Sequence, residues 1–313
     1  MVSSPARAPP TAGAHLPLFV LLAALAAAAP PAPAPPPDGD VYSVYTPGGA
    51  AVTATFPAGT LTTAEVLRFD QKAMLAEVGG QVRAWAVGAA PGLVVTVRGR
   101  EITLEAEGTS EAAVARTLAA ATAERERVYA AVLADRRLLR VAPGQVQYDH
   151  ARIAAESAAL VRPLAEALGA PAGATTGATA GASVGAPAAA DLRAYAERAL
   201  SFVQALPYEA VTRATFAPPL ALLREQRGDC DEKATLYAAL LRAAAPGLAV
   251  AVVTLDQHAI VVLGLPPRGA DRAVTVDGAT WLVAEPAGPA QHPLGALSPK
   301  TTLERGFTLR RVP

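Results

Sequence analysis

Cys230 is the single thiol of this 313-residue chain. A thiol attacks carbonyls and electrophiles as the thiolate, so its neighbours decide whether it is chemistry or packing. Gly228-Asp229 precede it and Asp231-Glu232 follow. Asp229 as N-cap with Glu232 three residues on is a capping-box pattern, which predicts a helix with Cys230 at its first position. Unpaired N–H groups and the positive end of the helix dipole favour a thiolate there. The carboxylates of Asp229, Asp231 and Glu232 work against it, so the thiol needs a cationic partner. His15 lies in an apolar leader, which leaves His150, His258 and His292. His258 is the candidate base, because it starts the second of two β-rich runs, Leu248–Leu255 and Ala259–Leu263. It can take the thiol proton and later return it to a leaving group. Trp281–Ala284 reads as a further strand closed by Glu285-Pro286, and an acid there can hold the other ring nitrogen and fix the tautomer. Taken singly, each residue has a plainer reading: a buried small hydrophobe, a satisfied histidine, a turn acid. Their order, thiol at a helix start, then base, then acid, is what a cysteine nucleophile requires.

The segments GDCDEKATLYAALLRA, HAIVV and GATWLVAEPAG stand in the order of the cysteine helix, histidine strand and tryptophan–acid strand of the transglutaminase-like superfamily, which this part of the chain resembles. The resemblance covers about Asp191 to Gly288. It implies a papain-like fold, with the cysteine helix packed on an antiparallel sheet, and carries Cys230 over as nucleophile, His258 as base and Glu285 as third member. Two positions depart from the family pattern: Glu285 stands where Asp is commoner, and Ala259-Ile260 follows His258 where Ala-Trp is frequent. A longer acid still reaches an imidazole, but the missing aromatic leaves the substrate groove less defined. The oxyanion hole would combine the Cys230 backbone N–H with a side-chain donor, Gln226 or Tyr208.

The elements that must position these groups follow from pattern. A helix is expected from Asp191 to about Leu206, with Leu192, Tyr195, Ala199, Phe202 and Val203 on one face, broken by Pro207-Tyr208. Leu236, Leu240 and Ala243 continue the buried stripe of the cysteine helix up to Pro246-Gly247. Residues 191–313 are thus expected to form the transglutaminase-like domain. Gly169–Ala190 is almost all Ala, Gly, Thr, Ser and Pro and reads as a flexible linker. Ahead of it, 40–168 reads as a separate α+β domain without a chemical motif. Its expected elements are strands at Ala51–Phe56 and Gln81–Val87, a hairpin of Leu93–Arg98 with Glu101–Glu105 around Gly99, and a helix from Ser110 carrying Val114, Leu118, Val128, Val132 and Leu139. After a break at Pro143-Gly144, one more helix is expected from His150 to Leu168. The overall fold class is α+β.

Leu16–Ala29 is an apolar run that follows Arg7 and ends in small residues, so residues 1–29 read as an export signal cleaved near Ala27 or Ala28, or else as an uncleaved anchor. Pro30–Pro37 begins a 30–39 spacer of polyproline II type. The body of the chain is therefore expected outside the cytoplasm, periplasmic or extracellular. A lone exported thiol is then unusual, because exported cysteines are commonly paired. Lys+Arg and Asp+Glu number 27 each, which leaves no electrostatic footprint for nucleic acid. Arg125-Glu126-Arg127 and Arg136-Arg137 read as solvated helix faces. One thiol and one imidazole are too few for a metal site, and neither a calcium loop nor a phosphate-binding glycine loop is present, so no metal or cofactor is expected. The expected function is an exported cysteine enzyme acting on an amide bond of a protein or peptide through a thioester: peptidase, amidase or transglutaminase. The alternative is a catalytically inactive relative serving as a protein-interaction module.

Overall fold

The computed structural model describes residues 39–45, 51–142, 144–171, 189–210, 214–288, 290–303 and 307–313. The expected leader, nearly all of the spacer and positions 172–188 of the expected linker lie outside them.

The described part begins with an antiparallel pair, β1 (Gly39–Tyr45) and β2 (Ala51–Pro57), followed by a short strand β3 (Leu67–Arg68). Next comes helix α1 (Gln71–Ala89), whose first turn is capped by Asp70 accepting from the Ala73 N–H (3.0 Å). The strand expected at Gln81–Val87 is the second half of this helix. Val82, Trp85 and Val87 look β-like in a short window, but Met74, Leu75, Val78, Val82 and Ala86 are buried at helical spacing, and that longer stripe prevails. The hairpin β4 (Leu93–Arg98) with β5 (Glu101–Ala106) forms as expected, with Gly99 in the left-handed region its turn demands. Helix α2 (Glu111–Asp135) starts at the Ser110 cap. It stops short of Leu139, which lies on β6 (Leu138–Ala142), paired with β7 (Gln145–Tyr148). Arg137, at φ 55°, turns the chain out of the helix, and β6 and β7 pair antiparallel up to Ala142 and Gln145; Pro143, in the expected break, lies outside the described residues. One expected helix is two, α3 (His150–Ser157) and α4 (Arg162–Ala167); Pro163, in the first turn of α4, has no N–H to bond back to a continuous helix.

The remainder runs α5 (Ala189–Ala205), β8 (Thr215–Phe216), α6 (Pro219–Glu225), α7 (Cys230–Ala244), β9 (Val250–Thr254), β10 (Ala259–Leu263), β11 (Ala273–Val276), β12 (Ala279–Ala284), α8 (Pro299–Leu303) and β13 (Thr308–Arg311). Five strands make one antiparallel sheet in the order β11-β12-β10-β9-β13. Helix α7 packs on β9 and β10 and is in turn covered by α3, α4, α5 and α6. The molecule is thus α+β, with the cysteine-bearing helix on an antiparallel sheet. Helix α7 is buried almost all round, a position open to it because its surface is largely Ala and Leu. Strands β9 and β10 read as unbroken apolar runs because both sheet faces are covered: Val250, Val252, Val261 and Leu263 meet the core around α7, while Ala251, Val253, Ile260 and Val262 meet Trp281 and Val283 opposite.

The expected boundary at 169–190 does not divide the core. Tyr42, Phe56 and Leu164 belong to the same buried cluster as Phe202, Leu222 and Tyr237, and residues 35–313 form one compact unit. The Tyr42 ring stands edge-on to Phe202 with centroids 6.4 Å apart, and β3 pairs with β8 through Leu67 and Phe216. Side chains of this size each gain about 1.5–3 kcal/mol from burial, and α4, packed on both β2 and α7, joins the two parts in one core. A satellite core of Met74, Val78, Val82, Val128 and Val132 holds α1 and α2 against the β4–β5 hairpin. Among the described residues no helix is long and apolar enough to cross a membrane.

Candidate functional site

Helix α7 begins at Cys230, as its sequence predicts. Asp229 Oδ1 accepts from the N–H groups of Asp231 (3.0 Å) and Glu232 (3.1 Å), and Glu232 Oε2 accepts in return from the Asp229 N–H (3.1 Å). The other oxygen of Glu232, Oε1, takes the N–H of Ala217 (2.6 Å), which anchors the segment before α6 to the cysteine helix. Glycine at 228 leaves room for the cap: a Cβ there would lie 2.8 Å from Glu232 Oε2 and 2.8 Å from Leu222 Cδ1, so those side chains would have to shift. Gly228 also bridges to Tyr208, with its N–H donating to Pro207 O (3.1 Å) and its carbonyl accepting from Glu209 (3.1 Å). This ties Tyr208 beside the start of the helix.

His258 sits just before β10, and Glu285 just after β12, two neighbouring strands in register at Val261 and Ala284. That register brings the two side chains together, with His258 Nε2 3.1 Å from Glu285 Oε1. The carboxylate is fixed from its other side by the Ser298 N–H on Oε2 (2.6 Å) and the Thr301 hydroxyl on Oε1 (2.9 Å), at the start of α8. Burial alone would raise the Glu285 carboxyl, but the bonds from His258, Ser298 and Thr301 outweigh it and bring it down to about 2. Glu285 thus engages the Nε2 side of the ring.

Cys230 and His258 line one open cleft, together with Asp229, Asp231, Tyr208 and His150. The thiol is 9 % exposed. It faces Asp231 Oδ1 at 3.6 Å and is touched by the backbone N–H of Ala259, the residue after His258. Among the described residues no hydrogen bond joins Cys230 Sγ to the His258 ring. Burial, then the charges of Asp231 and Asp229, push the thiol well up, against the Ala259 N–H. The environment of the thiol thus works against the thiolate, which is why the sequence calls for a cationic partner. Burial likewise raises Asp229 to about 6 and Glu232 to about 7, in both cases with the neighbouring acids adding to it. Next to them Lys233 is fully buried and brought down to about 8 by that burial. Its Nζ donates to Leu206 O (2.7 Å) and Ala287 O (2.5 Å), tying α7 to the end of α5 and to the loop that follows Glu285.

Of the two side chains left open as oxyanion donors, Tyr208 lines the cleft, and burial followed by the nearby Cys230, Asp229 and Asp231 raises its phenol. Gln226 instead caps α6 in the left-handed region, its backbone N–H bonded to Leu222 O (2.8 Å). Sequence reasoning missed His150, Ser298 and Thr301. Ser298-Pro299 carries a helix-start signal, but nothing local links His150 to Cys230. Among the described residues no group of three or more His, Cys, Asp and Glu side chains is placed to hold a metal ion. Compared with known proteins, the chain matches no family model, no curated protein and no solved structure.

Proposed function

We propose that this chain is an exported cysteine-nucleophile enzyme of the transglutaminase-like, papain-like kind, acting on an amide carbonyl of a protein or peptide. The observation that carries the reading is the His258–Glu285 pair at 3.1 Å, which shares a cleft with a thiol at a helix start. Attack of Cys230 Sγ on the carbonyl carbon passes the thiol proton to His258 Nδ1, and Glu285 stabilises the imidazolium so formed. The oxyanion is received by the Cys230 backbone N–H and the Tyr208 hydroxyl. Collapse breaks the C–N bond, the proton goes from His258 to the departing amine, and water or a second amine then cleaves the thioester. The raised thiol fits a mechanism in which proton transfer accompanies attack. The cleft, about 1020 Å³ in volume, lies at the upper end of the range of about 300–1,000 Å³ for ligand pockets and leaves room for a peptide segment.

A second reading, a non-catalytic interaction module, is favoured by the absence of a Cys230–His258 hydrogen bond. Acid-quenched incubation with peptide and activated-ester substrates, followed by intact-mass measurement, separates the two. A thioester adduct on Cys230 supports the enzyme. A thiol that forms no adduct, and reacts with iodoacetamide no faster than a free cysteine at neutral pH, sinks it.

A further inference from the structure

His258 pairs with Glu285, and among the described residues no ion pair joins it to the carboxylates at the start of α7. Asp229 and Glu232 are provided for by backbone N–H groups. Asp231 is different: its carboxylate bridges the thiol and a second histidine, with Oδ1 3.6 Å from Cys230 Sγ and Oδ2 3.9 Å from His150 Nε2. We propose that His150 is a positioning residue of the thiol site, acting through Asp231 to set how readily Cys230 reacts. This deepens the proposed cysteine chemistry and rests on it.

The geometry around His150 is over-determined in the way such a role needs. The residue is 5 % exposed and opens α3, whose N-cap Asp149 holds the Arg152 N–H (3.2 Å). Its ring stacks on Phe216 with centroids 5.3 Å apart and planes 30° to one another, and Phe216 also stacks on Tyr148 at 5.0 Å. Rotation about χ2 is therefore hindered, and Nε2 is kept toward Asp231. The charged groups near the ring are Asp231 on α7 and Asp149 at its own cap, with Arg310 of β13 reaching Asp149 Oδ2 at 3.4 Å. Burial lowers the His150 imidazole, while Asp231 and then Asp149 pull it up. A ring N–H, or an imidazolium, directed at Oδ2 draws charge away from Oδ1 and so relieves its repulsion of a nascent thiolate. A separation of 3.9 Å exceeds a hydrogen bond but is within ion-pair reach, and a small movement of Asp231 closes it.

The test is a double-mutant cycle on the iodoacetamide rate of the full chain, which reads the thiol without requiring turnover. His150→Phe, which keeps the ring stack and removes the donor, is expected to slow alkylation about three- to tenfold at neutral pH. His150→Gln, which restores a donor, is expected to recover most of that loss. In an Asp231→Asn background His150→Phe should change nothing, because its route to the thiol is gone. An equal slowing in that background, or no slowing in the native one, overturns the proposal. Should His150→Phe not fold, NMR of histidine-labelled protein decides: Asp231→Asn should move the His150 titration to lower pH, and an unmoved midpoint overturns the proposal. A native protein that shows these couplings but forms no acyl adduct sinks the enzyme reading alone.

Discussion

His258 meets Glu285 at hydrogen-bond distance, 3.1 Å, while His150 stands 3.9 Å from Asp231, and both pairs border the same thiol. The first is clamped from outside by Ser298 and Thr301, and its acid is held at about 2. Among the described residues no such pair of hydrogen bonds is seen on the second carboxylate, whose other oxygen is turned to Cys230. The difference is one of chemistry: a tightly held acid keeps its imidazole oriented through a full cycle of proton uptake and return, whereas a loosely held carboxylate beside the thiol acts by its charge. The pairs should therefore affect reactivity by different amounts and, where their acids are neutralised, with opposite signs.

Removing the group that both pairs serve has the largest expected effect. Cys230→Ala should abolish acyl-adduct formation and electrophile labelling outright in a protein that still folds, since the side chain lost is small; intact mass and circular dichroism check both halves. Labelling that survives would move the nucleophile elsewhere. Next in size is His258→Ala, expected to lower turnover by about 10²–10⁴-fold, the usual contribution of a general base. If His150→Phe lowered turnover as much, the comparison of a catalytic pair with a tuning pair would collapse. Tyr208→Phe tests the third side of the thiol, and should reduce the acylation rate by about 10²-fold with substrate KM little changed. An effect confined to KM would make Tyr208 a binding residue instead.

How far these groups were legible depends on the range of the interactions that place them. Asp229, Glu232 and Cys230 form a local capping pattern, so the start of α7 follows from four consecutive residues. His258 and Glu285 lie at the ends of contiguous apolar runs, and antiparallel pairing of β10 with β12 brings them together. His150 reaches the site only because α3 packs across α7, an event set by apolar faces more than 70 residues apart that no local pattern encodes. The same cause hid the continuous core: the apolar residues of β2 and α4 look sufficient for a domain of their own until α4 is seen to pack on α7 as well. The misread at Gln81–Val87 was of the opposite kind, a β-rich window inside a helical stripe longer than the window.

The smallest effects come from neutralising the two acids, and they should separate the pairs by sign. Asp231→Asn removes a negative charge beside the thiol and is expected to speed alkylation about three- to tenfold. Glu285→Gln should slow it by a similar factor, because an amide leaves His258 without the charge that stabilises an imidazolium. Glu285→Gln carries a second signature. A carboxyl held at about 2 when folded, against an ordinary value of 4.5, adds stability that is fully present above about 4.5 and is lost as pH falls through about 2. The sum is on the order of 3 kcal/mol for a group so little exposed. Thermal midpoints measured from pH 7 down to pH 2 should therefore fall more steeply for the native chain than for Glu285→Gln, with the two curves converging at the acid end. Parallel curves would mean that Glu285 is not held by His258, Ser298 and Thr301 as the structure has it.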